Sequence, residues 1–219
     1  MIGPDRGDLT SENGPRGGFP RIRTWENLGS VNPGGGAEYG TMIDALRNFL
    51  DAVAAAAPDT GTIIEITDGL AQFTRKLDPM AVDELKQIWA RRMDLPGQGQ
   101  TLAPNLVITG GDRDNVYGTV VFGRYFLGGG GAVHGGAIPL LFDTVLGLLC
   151  NAGGRAAART AYLHTDYCSI TPVGCELDVR GWFVSEEGRK RVLRAELHHG
   201  DTLCAEAEGL FVELRPDQA

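Results

Sequence analysis

Apolar positions divide the 219-residue chain into two halves with different periods. In the first, from about residue 40 to 93, they recur every three or four residues. Met42, Leu46, Phe49, Leu50 and Val53 form one stripe, and Ile63, Ile66, Leu70, Phe73 and Leu77 form a second. This spacing predicts two amphipathic helices, since positions i, i+3, i+4 and i+7 share one helix face. A third helix is expected to start at Asp78-Pro79, because Asp is a favoured cap and Pro a tolerated first helical residue. The run LPGQGQTLAP, residues 95–104, breaks the helical pattern and marks a boundary.

Beyond Pro104 the period becomes two. Segments 105–109 and 117–126 are rich in β-branched and aromatic residues and are separated by Gly110-Gly111-Asp112, which predicts a hairpin. Ala161, Leu163, Thr165 and Tyr167 alternate along a third strand, and Leu177, Val179, Gly181 and Phe183 along a fourth. Strands over 191–198 and 203–214 follow, joined at Gly200-Asp201. Between the second and third strands, from His134 to about Asn151, apolar residues cover nearly the whole circumference of a helix. Such a helix is expected to be buried on all sides. The fold class is therefore α+β: a curved antiparallel sheet wrapped around a central buried helix, with an N-terminal helical extension. Three units are expected: a flexible Gly/Pro-rich arm over 1–38, the helical extension over 39–103, and the sheet domain over 104–219.

Composition narrows the function. A net charge of −8 opposes nucleic acid as a partner. The opening residues carry no apolar signal region, and no apolar run approaches the ~20 residues of a membrane helix, which predicts a cytoplasmic protein without a membrane partner. Cys150, Cys168, Cys175 and Cys204 form no CxxC pair, which fits reduced thiols and gives zinc no support. His198 and His199 are adjacent in a strand, point to opposite faces, and are poorly placed to share a metal. The sequence also lacks a GxSxG nucleophile elbow, a GxxxxGK[ST] phosphate loop and an HExxH pair.

One carboxylate, Asp143, interrupts the apolar helix. An unpaired buried charge costs several kcal/mol, so Asp143 is expected to face a cleft, a partner or a subunit boundary. Upstream, Gly128 to Gly131 and then His134-Gly135-Gly136 lead into the helix, leaving N–H groups free of Cβ obstruction at the positive end of its dipole. Such a start suits a developing oxyanion.

His134, Gly135, Gly136, Leu141, Asp143 and Gly147 satisfy the spacing HGGxxxxLxDxxxG without gaps. In this the chain resembles the hotdog-fold acyl-CoA thioesterases of the phenylacetic acid degradation (PaaI-type) branch, over roughly residues 104 to 214. The resemblance implies hydrolysis of an acyl-CoA thioester to a free acid and CoA, without a metal or redox cofactor. It implies that the Gly135 N–H holds the thioester carbonyl and that Asp143 acts as general base or nucleophile. It also makes Thr160 similar to the family's water-positioning threonine, although Thr160 lies one residue further from the acid. Eight residues separate Gly135 from Asp143, a rise of ~12 Å along a helix. The family unites the two groups across a dimer, so a homodimer or homotetramer is expected. His134 is read as a ring that fixes the loop, with a general base as the alternative role. Gly136, Arg155, Arg159, Arg189 and Lys190 are candidate contacts for substrate, the basic ones for the phosphates of CoA. Two rival readings are a non-catalytic acyl-CoA-binding module and an enoyl-thioester hydratase or dehydratase. Asp143 speaks against the first, and the lack of a second catalytic histidine against the second.

Overall fold

The structure is a computed structural model that describes residues 34–215; the arm expected over 1–38 lies, up to residue 33, outside the described residues. Among the described residues three α-helices are present, α1 (Gly36–Ala55), α2 (Thr60–Leu77) and α3 (Ala137–Cys150). The strands are β1 (Asn105–Gly111), β2 (Asn115–Val121), β3 (Leu127–Gly129), β4 (Ala132–Val133), β5 (Ala158–Tyr167), β6 (Glu176–Glu187), β7 (Lys190–His199) and β8 (Thr202–Glu213). Six of them form one antiparallel sheet in the order β1-β2-β6-β7-β8-β5, and β3 pairs with β4 in a separate two-stranded ribbon. The expected two strands before the helix and four after it are those of the main sheet. The ribbon β3–β4 falls in the glycine run, where no alternation foretells it.

Helix α3 lies across this sheet and supplies more large side chains to the core than any single strand. Leu141, Phe142, Val145, Leu146 and Leu149 are fully buried against Val116, Val120, Leu177, Leu193, Leu197 and Phe211. Close approach is possible because glycine faces the helix at β8. A Cβ at Gly209 would stand 3.2 Å from the Leu146 side chain and 2.9 Å from Phe211. The expectation that α3 is buried all round is corrected on one side. Leu140, Asp143, Thr144 and Gly147, spaced as one helical stripe, are only partly covered or exposed.

The extension behaves unevenly. The seam of α1 is Ile43, Leu46, Arg47 and Leu50, one register away from the predicted Met42/Leu46/Phe49/Val53 stripe, and Met42 and Val53 stay exposed. None of the residues of α2 is buried. The third helix does not form. α2 continues to Leu77, so Asp78 becomes its C-cap with helical backbone (φ −49°, ψ −46°), whereas an N-cap needs extended backbone. Only single 3-10 turns follow, at Asp78–Met80 and Glu84–Lys86.

From there the chain runs as a strap, residues 88–100, which α1 holds at both ends. The buried Arg92 guanidinium donates to the carbonyls of Gly34 (3.1 Å) and Gly36 (2.7 Å) at the start of α1, and is paired with Asp94 at 2.7 Å. Arg47 of α1 reaches the other end, donating to Asn105 Oδ1 (2.8 Å), the Pro96 carbonyl (3.1 Å) and the Gln100 carbonyl. Gly97 has φ +56°, and a Cβ there would lie 2.6 Å from Arg47 Nη2, so this turn requires glycine.

Candidate active site

The entry to α3 is built by local hydrogen bonds that leave one donor unused. His134 N–H donates to the Phe126 carbonyl at 2.7 Å, and the His134 ring accepts at Nδ1 from the Gly136 N–H at 3.0 Å. The ring therefore fastens the turn, in keeping with its expected structural role. Tyr167, at the end of β5, donates its hydroxyl to the Gly135 carbonyl at 2.8 Å, which fixes that peptide. The Gly135 N–H is exposed and has no acceptor among the described residues. Of the two glycines singled out, Gly135 thus keeps a free donor at the helix N-terminus, and Gly136 uses its own on His134.

Two turns further along α3, Asp143 opens to solvent, and Thr160 Oγ1 donates to its Oδ1 at 2.7 Å. The structure joins these two expected residues although 17 positions separate them. Thr160 is aimed by an irregularity in β5. It pairs with Phe211 while Tyr162 pairs with Leu210, which leaves Ala161 as an extra residue in the ladder. Such a bulge re-aims the flanking side chains. It also disturbs the expected alternation: of Ala161, Leu163, Thr165 and Tyr167, only Leu163 and Thr165 are partly covered.

Asp143 and Thr160 border a cavity of about 560 Å³. The sheet domain contributes Thr144, Gly147, Arg159 and Phe211 to its lining, and the strap and the turn before it contribute Glu84, Trp89, Arg91, Met93 and Gln98. Arg91 stands 3.8 Å from Glu84 on this wall. Sequence reading missed the wall because residues 84–93 read as part of a third helix and residues 95–98 as the break that ends it. Its one local signal is the pair Gly97 and Gly99 around Gln98, all three with positive φ (56°, 68° and 63°).

Among the basic candidates, the structure brings only Arg159 to this cavity. Arg155 does not line it. Its guanidinium donates to the Arg113 carbonyl (2.6 Å), pairs with Asp114 (2.7 Å) and Glu186 (3.1 Å), and lies 3.9 Å over the Phe183 ring. It therefore stitches the loop after α3 to the tips of the β1–β2 hairpin and β6. Arg189 and Lys190 sit at the β6–β7 turn, off the cavity wall. Arg191, the next residue of the same basic run, is buried, bonds to the carbonyls of Cys150 and Ala156 and pairs with Glu186 and Glu213. A thiol nucleophile is disfavoured at the end of α3, because burial pushes Cys150 up to about 12. Among the described residues, no group of three or more His, Cys, Asp or Glu side chains is arranged to hold a metal ion.

Residues 130–207 match the family model described as Thioesterase superfamily. The acyl-coenzyme A thioesterase THEM4 of Bos taurus is 34% identical over 105 residues, 44% of this chain and 40% of the relative. The Xenopus laevis protein of the same name is 34% identical over 100 residues, 43% of each chain. The chain thus spans about two fifths of the length of these curated relatives. A solved structure described as a thioesterase superfamily protein superposes with a TM-score of 0.70 at 29% identity, over 83% of this chain and 97% of that one, so the likeness reaches beyond the sheet domain into the extension. Together with the sheet wrapped around α3, these likenesses identify residues 130–207 as a thioesterase-superfamily domain within a hotdog fold.

Proposed function

We propose that the protein hydrolyses acyl-CoA thioesters to a free acid and CoA. The observation that carries this reading is the 2.7 Å bond from Thr160 to Asp143 at the edge of the cavity. With Oδ1 engaged by Thr160, Oδ2 of Asp143 is left to take a proton, and the Thr160 oxygen can accept a hydrogen bond from the same water. This supports reading Asp143 as the general base. Water adds to the thioester carbonyl while the Gly135 N–H, with the helix dipole behind it, stabilises the developing oxyanion. Collapse of this intermediate breaks the C–S bond, and the proton held by Asp143 passes to the departing CoA sulfur.

The two ends of this machinery stand ~12 Å apart along α3 at ~1.5 Å per residue, too far to meet at one carbon within one chain. A second copy resolves the distance, as a homodimer or within a homotetramer. Support comes from β5, which lies at the sheet edge with one side unpaired and most of its ten residues exposed. An unpaired edge of this length is a template for pairing with another chain. Arg159 is the residue of this chain best placed to meet a CoA phosphate, and Arg189 and Lys190 stand further out for the same role. The four free thiols fit a reducing, cytoplasmic setting. We keep the division at residue 103/104, just before β1 starts at Asn105; the strap lies on its N-terminal side and lines the cavity together with the sheet domain.

Asp143→Asn is expected to keep the circular dichroism of the parent and to lose at least ~100-fold in turnover of acyl-CoA substrates, a magnitude typical of a lost general base. Undiminished hydrolysis by the folded variant excludes Asp143 from the chemistry. Dilution is expected to abolish activity in step with dissociation followed by analytical ultracentrifugation; a fully active monomer contradicts the shared site.

A further inference from the structure

A second cavity, of about 230 Å³, adjoins the first. Three residues border both: Met93 and Gln98 from the strap, and Leu148 from α3. The two chambers differ in chemistry. The first carries Asp143, Thr160, Arg159 and Glu84, whereas the second is bounded mainly by Leu95, Pro96, Leu106, Val107 and Ile108, and its one carboxylate, Asp94, is paired with Arg92 at 2.7 Å. Met93 is half-buried and packs on the edge of the core, and a methionine is unbranched and adapts its shape readily. A mainly apolar chamber one side chain away from the one that carries Asp143 suits a ligand with a polar reacting end and an apolar tail.

Resting on the thioesterase reading, we propose that the second cavity is an acyl-tail subsite and that Met93 of the strap is the partition that sets how long an unbranched acyl chain the protein accepts. The tail passes from the carbonyl at Asp143 between Met93 and Leu148 and ends against Leu106 and Ile108 of β1. The strap is suited to this task because it is held rigidly from α1. Arg92 and Arg47 anchor it on either side of Met93, and the left-handed backbone at residues 97–99 fixes the turn that follows. Each methylene gained or lost in an apolar pocket changes kcat/KM by roughly tenfold or more. A side chain that opens or blocks the passage therefore acts on chain-length preference.

The test is the ratio of kcat/KM for dodecanoyl-CoA to that for acetyl-CoA, in the full-length protein and three variants checked by circular dichroism. Met93→Ala, which widens the passage, is expected to raise this ratio by about tenfold. Met93→Trp is expected to lower it by at least that factor. Val107 borders only the second cavity and is 42% exposed, so Val107→Trp adds bulk there without crowding the core. It is expected to lower the ratio in the same direction as Met93→Trp, and it decides the matter if either Met93 variant fails to fold. An unchanged ratio in the folded variants of a wild type that is active overturns the subsite. A wild type that hydrolyses neither substrate overturns the thioesterase reading itself, and the subsite with it.

Discussion

Helices α1 and α2 stand next to each other in the chain and have opposite fates. α2 has the stronger local signals. Asp59 caps it by accepting from Thr62 N–H at 2.8 Å, Arg75 and Lys76 occupy its last turn where the dipole favours cations, and its apolar stripe is regular. Nevertheless Phe73 is 63% exposed, and none of its neighbours on α2 is buried. α1 has no side-chain cap and a less regular stripe, but Ile43 is 1% exposed and the helix is tied to its surroundings by directed polar contacts. Asp51 accepts from the Tyr125 N–H at 3.0 Å, and Arg47 bridges to both flanks of the 96–105 turn. Capping and periodicity thus decide whether a helix forms, whereas matched polar partners on another element decide where it docks. Because α1 also holds the strap, its docking bears on the cavity and that of α2 does not.

The contrast is broken most severely at Arg47. Arg47→Ala removes a buried guanidinium, leaves Asn105 Oδ1 and the Gln100 carbonyl without this donor, and leaves the Pro96 carbonyl with the Gly99 N–H alone. Hydrogen bonds to charged groups are each worth ~1.5 to 3 kcal/mol, so a loss of about 4 kcal/mol is expected, read as a lower urea midpoint at unchanged slope. Acyl-CoA turnover falls as well, because the strap loses one of its anchors. Retained stability would show that α1 rests on its apolar contacts alone. Ile43→Ala measures those contacts directly. Truncating a fully buried isoleucine costs ~2 to 5 kcal/mol, and a value near 2.5 is expected since α1 covers the body from one side only. A cost below about 1 kcal/mol would mean that α1 moves to fill the gap.

The sheet and α3 were legible in the sequence because both announce themselves by period and composition. Asp143 was legible for a physical reason: a lone carboxylate in an apolar helix has to face an opening, and it faces the cavity. Its contact with Thr160 depends on a bulge at Ala161, which leaves no mark in an alternating pattern, so only the likeness to a known motif pointed there. The strap was illegible because its fold is set by two distant arginines and a left-handed turn, none of which is periodic. Arginine misled in both directions. Arg155, a candidate phosphate contact by sequence, staples a loop in the structure, while Arg47 and Arg92, which organise the wall of the cavity, lie inside segments that read as helical.

The smallest effect is expected at α2. Phe73→Ser deletes the most exposed large apolar side chain on that helix and a cation–π contact with Lys76, whose Nζ lies 5.7 Å from the ring centre. At an exposed site such a contact is worth only ~0.5 to 1 kcal/mol, and Phe and Ser have nearly equal helix propensity. Whatever is lost is local to α2, which can fray without exposing the core, so global unfolding is expected to shift by less than about 0.5 kcal/mol. The sedimentation coefficient and kcat/KM are expected to stay at the parent values. Urea unfolding and sedimentation of the same preparation check both. A shift above about 1.5 kcal/mol, or a change of assembly state, would mean that the α2 stripe is covered in solution. The difference between the two helices would then lie in what each one packs against, and no longer in whether it packs at all.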